Sequence, residues 1–98
     1  MFLPKFSLVN SFFAQFKYRD RITIMCDILK SVSNKPEGKK KTQIMQSAHL
    51  NYHQLNKYLK ILIMNGFLIL TDSETYKITD RGLSFLYNFE SQKIRMTL

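Results

Sequence analysis

Apart from Tyr58, which is expected on the buried face, six side chains between residues 52 and 60 can donate or accept hydrogen bonds, and they fall within one predicted helix. The amides of Gln54 and Asn56 have the geometry to pair bidentately with adenine, whereas the ammonium groups of Lys57 and Lys60 suit phosphate. A solvated outer helix face would show the same pattern, so both interpretations stay open at this point. The candidate DNA-binding residues of this segment are Tyr52, His53, Gln54, Asn56, Lys57 and Lys60.

A second cationic cluster precedes the helix expected at residues 42–49. Lys39, Lys40 and Lys41 are consecutive, and Thr42 is the predicted N-cap of that helix. Because the N-terminus of a helix attracts anions, we expect the three lysines and Thr42 to contact phosphate. The alternative is a solvated basic loop.

The segment that follows the polar helix is expected to make fewer contacts with a phosphate backbone. Thr75 and Lys77 are candidate backbone contacts on a predicted hairpin. Asp72 and Glu74 lie on the same hairpin and would repel phosphate. The hairpin is therefore expected to approach a duplex through one side, or not at all.

We predict neither a catalytic nor a metal site. The sequence offers no nucleophile–base pair, no paired carboxylates in a plausible cleft and no phosphate-binding glycine loop, so an enzyme is not expected. Its one cysteine, Cys26, excludes an internal disulfide and a Cys-rich zinc site, and is predicted to be a buried, inert thiol. His49 and His53 are separated by a predicted turn and make a poor pair of metal ligands. No cofactor or small-molecule ligand is predicted.

Composition sets the class of protein. The chain has 98 residues, 45% of them hydrophobic, which predicts one domain with a packed core. Its formal charge of +8 favours a polyanionic partner, although excess lysine can also serve solubility alone. The apolar stretch 61–70 is interrupted by Asn65 and Gly66 and is too short to span a bilayer. A cytoplasmic, nucleoid-associated protein without a membrane partner is the expectation.

These side chains must be positioned by the helices and strands that the apolar spacing predicts. Residues 1–18 are predicted to form an amphipathic helix that is a core or dimer element, and residues 81–98 a C-terminal helix that serves dimerisation. Residues 19–80 are the predicted DNA-binding domain. Within that domain we expect helices at 19–33, 42–49 and 51–66, a basic loop including residues 39–41, and a hairpin at 67–79. Asn51 with Gln54 predicts a capped start for the third of these helices, and Gly66 its end.

The order and the residues together resemble the small winged helix-turn-helix proteins of archaea. The similarity lies in the spacing of Leu55, Leu59, Leu62, Gly66 and Phe67, in the run Tyr76 to Gly82, and in Lys41-Thr42 followed by Ile44, Met45 and Ala48. It covers about residues 20–95. The resemblance implies a mainly α fold with a β-hairpin wing, a winged helix-turn-helix with extra N- and C-terminal helices.

The resemblance also implies double-stranded DNA as the partner. A transcription regulator that places helix 51–66 in the major groove, with loop 39–41 and hairpin 67–79 on the backbone, is the leading hypothesis. The alternatives are a nonspecific architectural DNA binder and a winged helix used as a protein-interaction module. The strongly apolar last helix predicts a homodimer through residues 6–18 and 80–96.

Overall fold

The computed structural model describes residues 20–97, and for residues 93–97 the backbone alone. Within this range four helices and one antiparallel hairpin follow one another, which confirms the predicted mainly α fold with a wing. The elements are α1 (Arg21–Ser33), α2 (Lys41–Ala48), α3 (Tyr52–Met64), β1 (Leu68–Leu70), β2 (Tyr76–Ile78) and α4 (Asp80–Thr97). The helix predicted at residues 1–18 lies outside the described residues.

α1 begins where a side chain can cap it. Asp20 Oδ1 accepts the N–H of Thr23 at 2.8 Å, which satisfies one of the backbone donors that a helix start leaves unpaired. The helix then places apolar groups on one face, where Ile28, Leu29 and Val32 are fully buried. Cys26 lies in the same core, in agreement with the predicted burial of its thiol.

The turn between α2 and α3 is only three residues long. His49 adopts a left-handed conformation (φ 55°) that ends α2, and the buried Leu50 donates its N–H to the Met45 carbonyl at 3.1 Å. Asn51 Oδ1 then accepts the Gln54 N–H at 2.8 Å, while Gln54 Oε1 accepts the Asn51 N–H at 3.3 Å. This reciprocal pair confirms the predicted cap of α3.

The start of α2 differs from the prediction. Thr42 is not its N-cap: the helix begins at Lys41 and Lys40 occupies the cap position. A lysine side chain offers no acceptor, and instead the Lys40 N–H donates to Gln43 Oε1 at 3.1 Å. The chain enters the helix early because Lys39 is already held by the wing.

The wing is a two-stranded sheet with one further bridge. β1 pairs with β2 so that Leu68 lies opposite Ile78 and Leu70 opposite Tyr76. On the other side of β2, the Lys39 N–H donates to the Tyr76 carbonyl at 3.0 Å and the Tyr76 N–H donates back to Lys39 at 2.8 Å. Residues 39–41 are therefore not the loop that was predicted, since one residue bridges to the sheet and another opens a helix.

α4 is packed tightly against the start of the wing. A Cβ on Gly82 would lie 2.3 Å from the Phe67 carbonyl oxygen, a distance that allows only glycine. The rings of Phe67 and Phe85 stack with centroids 4.6 Å apart. Thr79 Oγ1 accepts the Gly82 N–H at 3.0 Å and so caps the helix. In the part of the chain that the structure describes, no helix is long and apolar enough to cross a membrane.

Candidate nucleic-acid interface

Over residues 52–60, α3 places its apolar and polar side chains on opposite faces, whereas Ile63 and Met64 near its end are exposed. Leu55, Leu59 and Leu62 enter the core with Tyr58. The outer face is consequently polar, and four of the predicted residues line one shallow groove on it together with Ile61. Those four are His53, Asn56, Lys57 and Lys60. The helical period thus brings the imidazole, an amide and two ammonium groups to one surface.

Tyr52, at the first position of α3, lies beside the start of α2. Its side chain is exposed (59%), and the Lys41 ammonium lies 5.1 Å from the ring centroid, within the range of a cation–π contact. A side-chain hydrogen bond with Asn56, and then the positive charge of Lys41, lower the pKa of the Tyr52 phenol from its ordinary value. Tyr52 therefore links the first turns of the two helices.

The two amides of α3 have different surroundings. Gln54 Oε1 accepts the Asn51 N–H at 3.3 Å, whereas Asn56 is half-buried and lines the outward groove. A bidentate pair with adenine needs both the oxygen and the nitrogen of an amide at one base edge. Gln54 would have to give up or share its bond with Asn51 to form such a pair.

A cleft separates the N-terminus of α2 from the tip of the wing. Lys40, Lys41 and Thr42 line one wall, and Ser73 and Glu74 the other. The unpaired N–H groups of the first helical turn add a partial positive charge on the lysine side. Glu74, which adopts a left-handed conformation (φ 62°), lines the same cleft, and its repulsion of phosphate stays a prediction.

The ammonium of Lys39 lies in a different depression from the one that Lys40 and Lys41 line. Its ammonium donates to Ser31 Oγ at 3.0 Å and to Ser47 Oγ at 3.4 Å, in a depression between α1 and α2. Sequence reasoning missed both serines. The one local sign was Ser31 itself, a hydroxyl on the apolar face of α1 that needs a buried partner.

The two predicted wing residues have different surroundings. Thr75 is half-buried, and its hydroxyl is hydrogen bonded to that of Thr71 at 2.7 Å. Lys77 is half-buried as well; it lies on the face of β2 opposite Tyr76 and Ile78, and its Cγ is 3.2 Å from the position that a Cβ on Gly38 would take. Because its ammonium stands at the end of a long side chain, Lys77 can reach a phosphate more readily than Thr75 can.

A helix pair joined by a three-residue turn, an outward polar second helix and a hairpin that follows it together define a winged helix-turn-helix domain. The chain belongs to the winged helix-turn-helix family, whose model matches residues 18–96.

Two archaeal proteins are similar to this chain, one in sequence and one in structure. The chain is similar to MJ0290, an uncharacterised protein of the archaeon Methanocaldococcus jannaschii, with 39% identity over 72 residues. That match covers 74% of this chain but 33% of the relative, so the chain spans about a third of the relative's length. Among solved structures it is similar to Sso10a-2, a DNA-binding protein from Sulfolobus solfataricus, with a TM-score of 0.67 and 32% identity. The structural match covers 81% of this chain and 84% of Sso10a-2.

Proposed function

We propose that this chain binds double-stranded DNA without catalysing a reaction. The observation that carries the proposal is the outward groove of α3, lined by His53, Asn56, Lys57 and Lys60. α3 enters the major groove, while the cleft at the start of α2 and the outer side of the wing contact the flanking backbone. The similarity to Sso10a-2, described as a DNA-binding protein, supports this assignment.

The interface predicts how affinity depends on salt. The lysines expected to contact phosphate are Lys40, Lys41, Lys57, Lys60 and Lys77. Each contact releases condensed counterions, so five contacts give a slope of log K against log salt of about −4.5. Between about 50 and 200 mM salt, the affinity should consequently fall by roughly 500-fold.

The test is fluorescence anisotropy with a labelled duplex at several salt concentrations. Lys57→Met should weaken binding to every duplex and make the slope less steep by about 0.9. Lys30→Met is the matched control, because Lys30 lies on α1 and its ammonium is 3.9 Å from a carboxylate oxygen of Glu90. Duplex binding that is absent at about 50 mM salt, or equal slopes for both variants, would contradict the proposal.

Two biological roles can use this interface. A transcription regulator needs base readout, for which His53 and Asn56 are available at the groove. An architectural protein needs only the DNA backbone, and the engagement of Gln54 in the cap of α3 favours this second role. Selection of bound fragments from random duplexes distinguishes the two, because a regulator yields a consensus and an architectural protein does not.

We further propose a homodimer that uses residues 80–96 together with residues 6–18. The support within the described residues is that α4 presents Tyr87 to solvent (66% exposed) beside the half-buried Phe85 and Phe89. A twofold dimer would also offer two recognition helices to one duplex. Sedimentation equilibrium at micromolar concentration should give the mass of a dimer, and a monomer under those conditions would contradict this part of the proposal.

A further inference from the structure

Lys39 joins three elements of the fold. Its backbone pairs with Tyr76 of β2 through hydrogen bonds of 3.0 and 2.8 Å. Its ammonium reaches Ser31 Oγ on α1 at 3.0 Å and Ser47 Oγ on α2 at 3.4 Å. The same residue therefore attaches the wing to both of the helices that support α3.

The two serine hydroxyls that accept from this ammonium are also hydrogen bonded to each other and to the backbone. The Ser47 hydroxyl lies 2.9 Å from the Gln43 carbonyl and donates to it. The hydroxyl of Ser31 can then donate to Ser47, with which it is in hydrogen-bond contact, while the Lys39 ammonium donates to both oxygens. Each hydroxyl proton has a partner inside the protein, and Ser31 is buried. The two hydroxyls and the ammonium therefore form an internal link between α1, α2 and the wing.

We propose that Lys39 is a positioning residue for DNA binding and does not itself contact phosphate. Charge-assisted hydrogen bonds from its ammonium hold the wing strand against α1 and α2. α2 begins only two residues later, so the link also fixes the cleft in which Lys40 and Lys41 face the wing tip. This inference rests on the proposed DNA binding, and it replaces the sequence-based expectation of a phosphate contact at this position.

The first measurement uses the protein without DNA. Lys39→Met keeps the aliphatic stem and removes the ammonium, and Lys40→Met is the matched control at the neighbouring, exposed position. Hydrogen exchange of the Lys39 and Tyr76 amides should become about 10-fold faster in Lys39→Met and stay unchanged in Lys40→Met. The Leu83 amide, which donates to Thr79 at 2.9 Å, reports on the rest of the fold and should not change.

The second measurement uses duplex DNA. Lys39→Met should bind between about 2-fold and 10-fold more weakly, because the wing must be ordered on binding. Its salt slope should equal that of the natural chain, whereas Lys40→Met should make the slope less steep by about 0.9. Lys39→Arg should restore both affinity and amide protection, since a guanidinium can donate to two hydroxyl oxygens. Ser47→Ala is a milder variant that removes one acceptor and should act in the direction of Lys39→Met.

Two results would overturn the inference. One is a salt slope that changes in Lys39→Met as much as in Lys40→Met, because Lys39 would then contact phosphate. The other is exchange of the Lys39 and Tyr76 amides at the natural rate in Lys39→Met, because no link would then exist. If the natural chain fails to bind duplex DNA, the proposed function fails, and the exchange measurement still decides whether the link exists.

Discussion

Replacing Gln54 tests whether its amide serves the helix or the base sequence of DNA. In the structure its Oε1 accepts the Asn51 N–H at 3.3 Å, and its backbone N–H donates to Asn51 Oδ1 at 2.8 Å. Gln54→Ala removes only the first of these bonds. The bond is long and exposed, so its loss should lower the free energy of unfolding by about 0.5 kcal/mol, at the low end for a hydrogen bond.

That loss corresponds to a fall in Tm of about 2–4 °C for a domain of this size, measurable by circular dichroism. Gln54→Glu supplies the control, because a carboxylate can accept the Asn51 N–H and suits the positive end of a helix. Glu cannot donate to adenine N7, so this variant separates the two roles. We expect Gln54→Glu to keep the Tm, to weaken binding to all duplexes through its charge, and to leave any sequence preference unchanged.

The contrary outcome is a Gln54→Ala variant that keeps its Tm but loses a preference for adenine at one position in selected duplexes. Gln54 would then be a base-reading residue, and its hydrogen bond with Asn51 would contribute nothing measurable to the free energy of unfolding. The sequence-selective regulator would become the favoured role. The claim that the Gln54 amide serves mainly to cap α3 would then be wrong.

Three further outcomes are expected. Glu74→Gln removes a carboxylate from the cleft that it shares with Lys41, so duplex affinity should rise a few-fold at low salt and less at higher salt, as anisotropy would show; an unchanged affinity would place this cleft away from DNA. Because its neighbours lower the pKa of the Tyr52 phenol, the natural chain should lose affinity as the pH rises through that pKa and phenolate forms beside phosphate. Tyr52→Phe should not show this loss of affinity at high pH. Identical affinity–pH profiles for the two proteins would contradict the prediction. Gly82→Ala brings a Cβ within 2.3 Å of the Phe67 carbonyl and should destabilise the fold by about 1–3 kcal/mol in urea denaturation, whereas natural stability would mean that the contact relaxes freely.

Local patterns made several features predictable from sequence. The cap of α3 depends on residues three apart, and the end of that helix on Gly66 (φ 77°), so a short window contains the needed information. The outward face of α3 follows in the same way from the spacing of its leucines. For these reasons the fold class and the polar outer face of α3 could be predicted from the sequence.

The features that were missed depend on distant partners. Thr42 fits the composition of an N-cap, but α2 starts earlier because Tyr76, far along the chain, holds Lys39. The position of the Lys39 ammonium depends on Ser31 and Ser47, which no spacing rule connects to it. Charge clustering alone therefore grouped three lysines that the fold separates.

The buried Leu50 has a kinetic consequence. With its side chain in the core and its N–H bonded to Met45 at 3.1 Å, the turn fixes the orientation of α3 before any duplex arrives. Encounter with DNA then requires no slow ordering of the helix-turn-helix, and long-range attraction to the phosphates sets the association rate. That rate should accordingly be fast at low ionic strength and fall as added salt shortens the reach of the lysine charges.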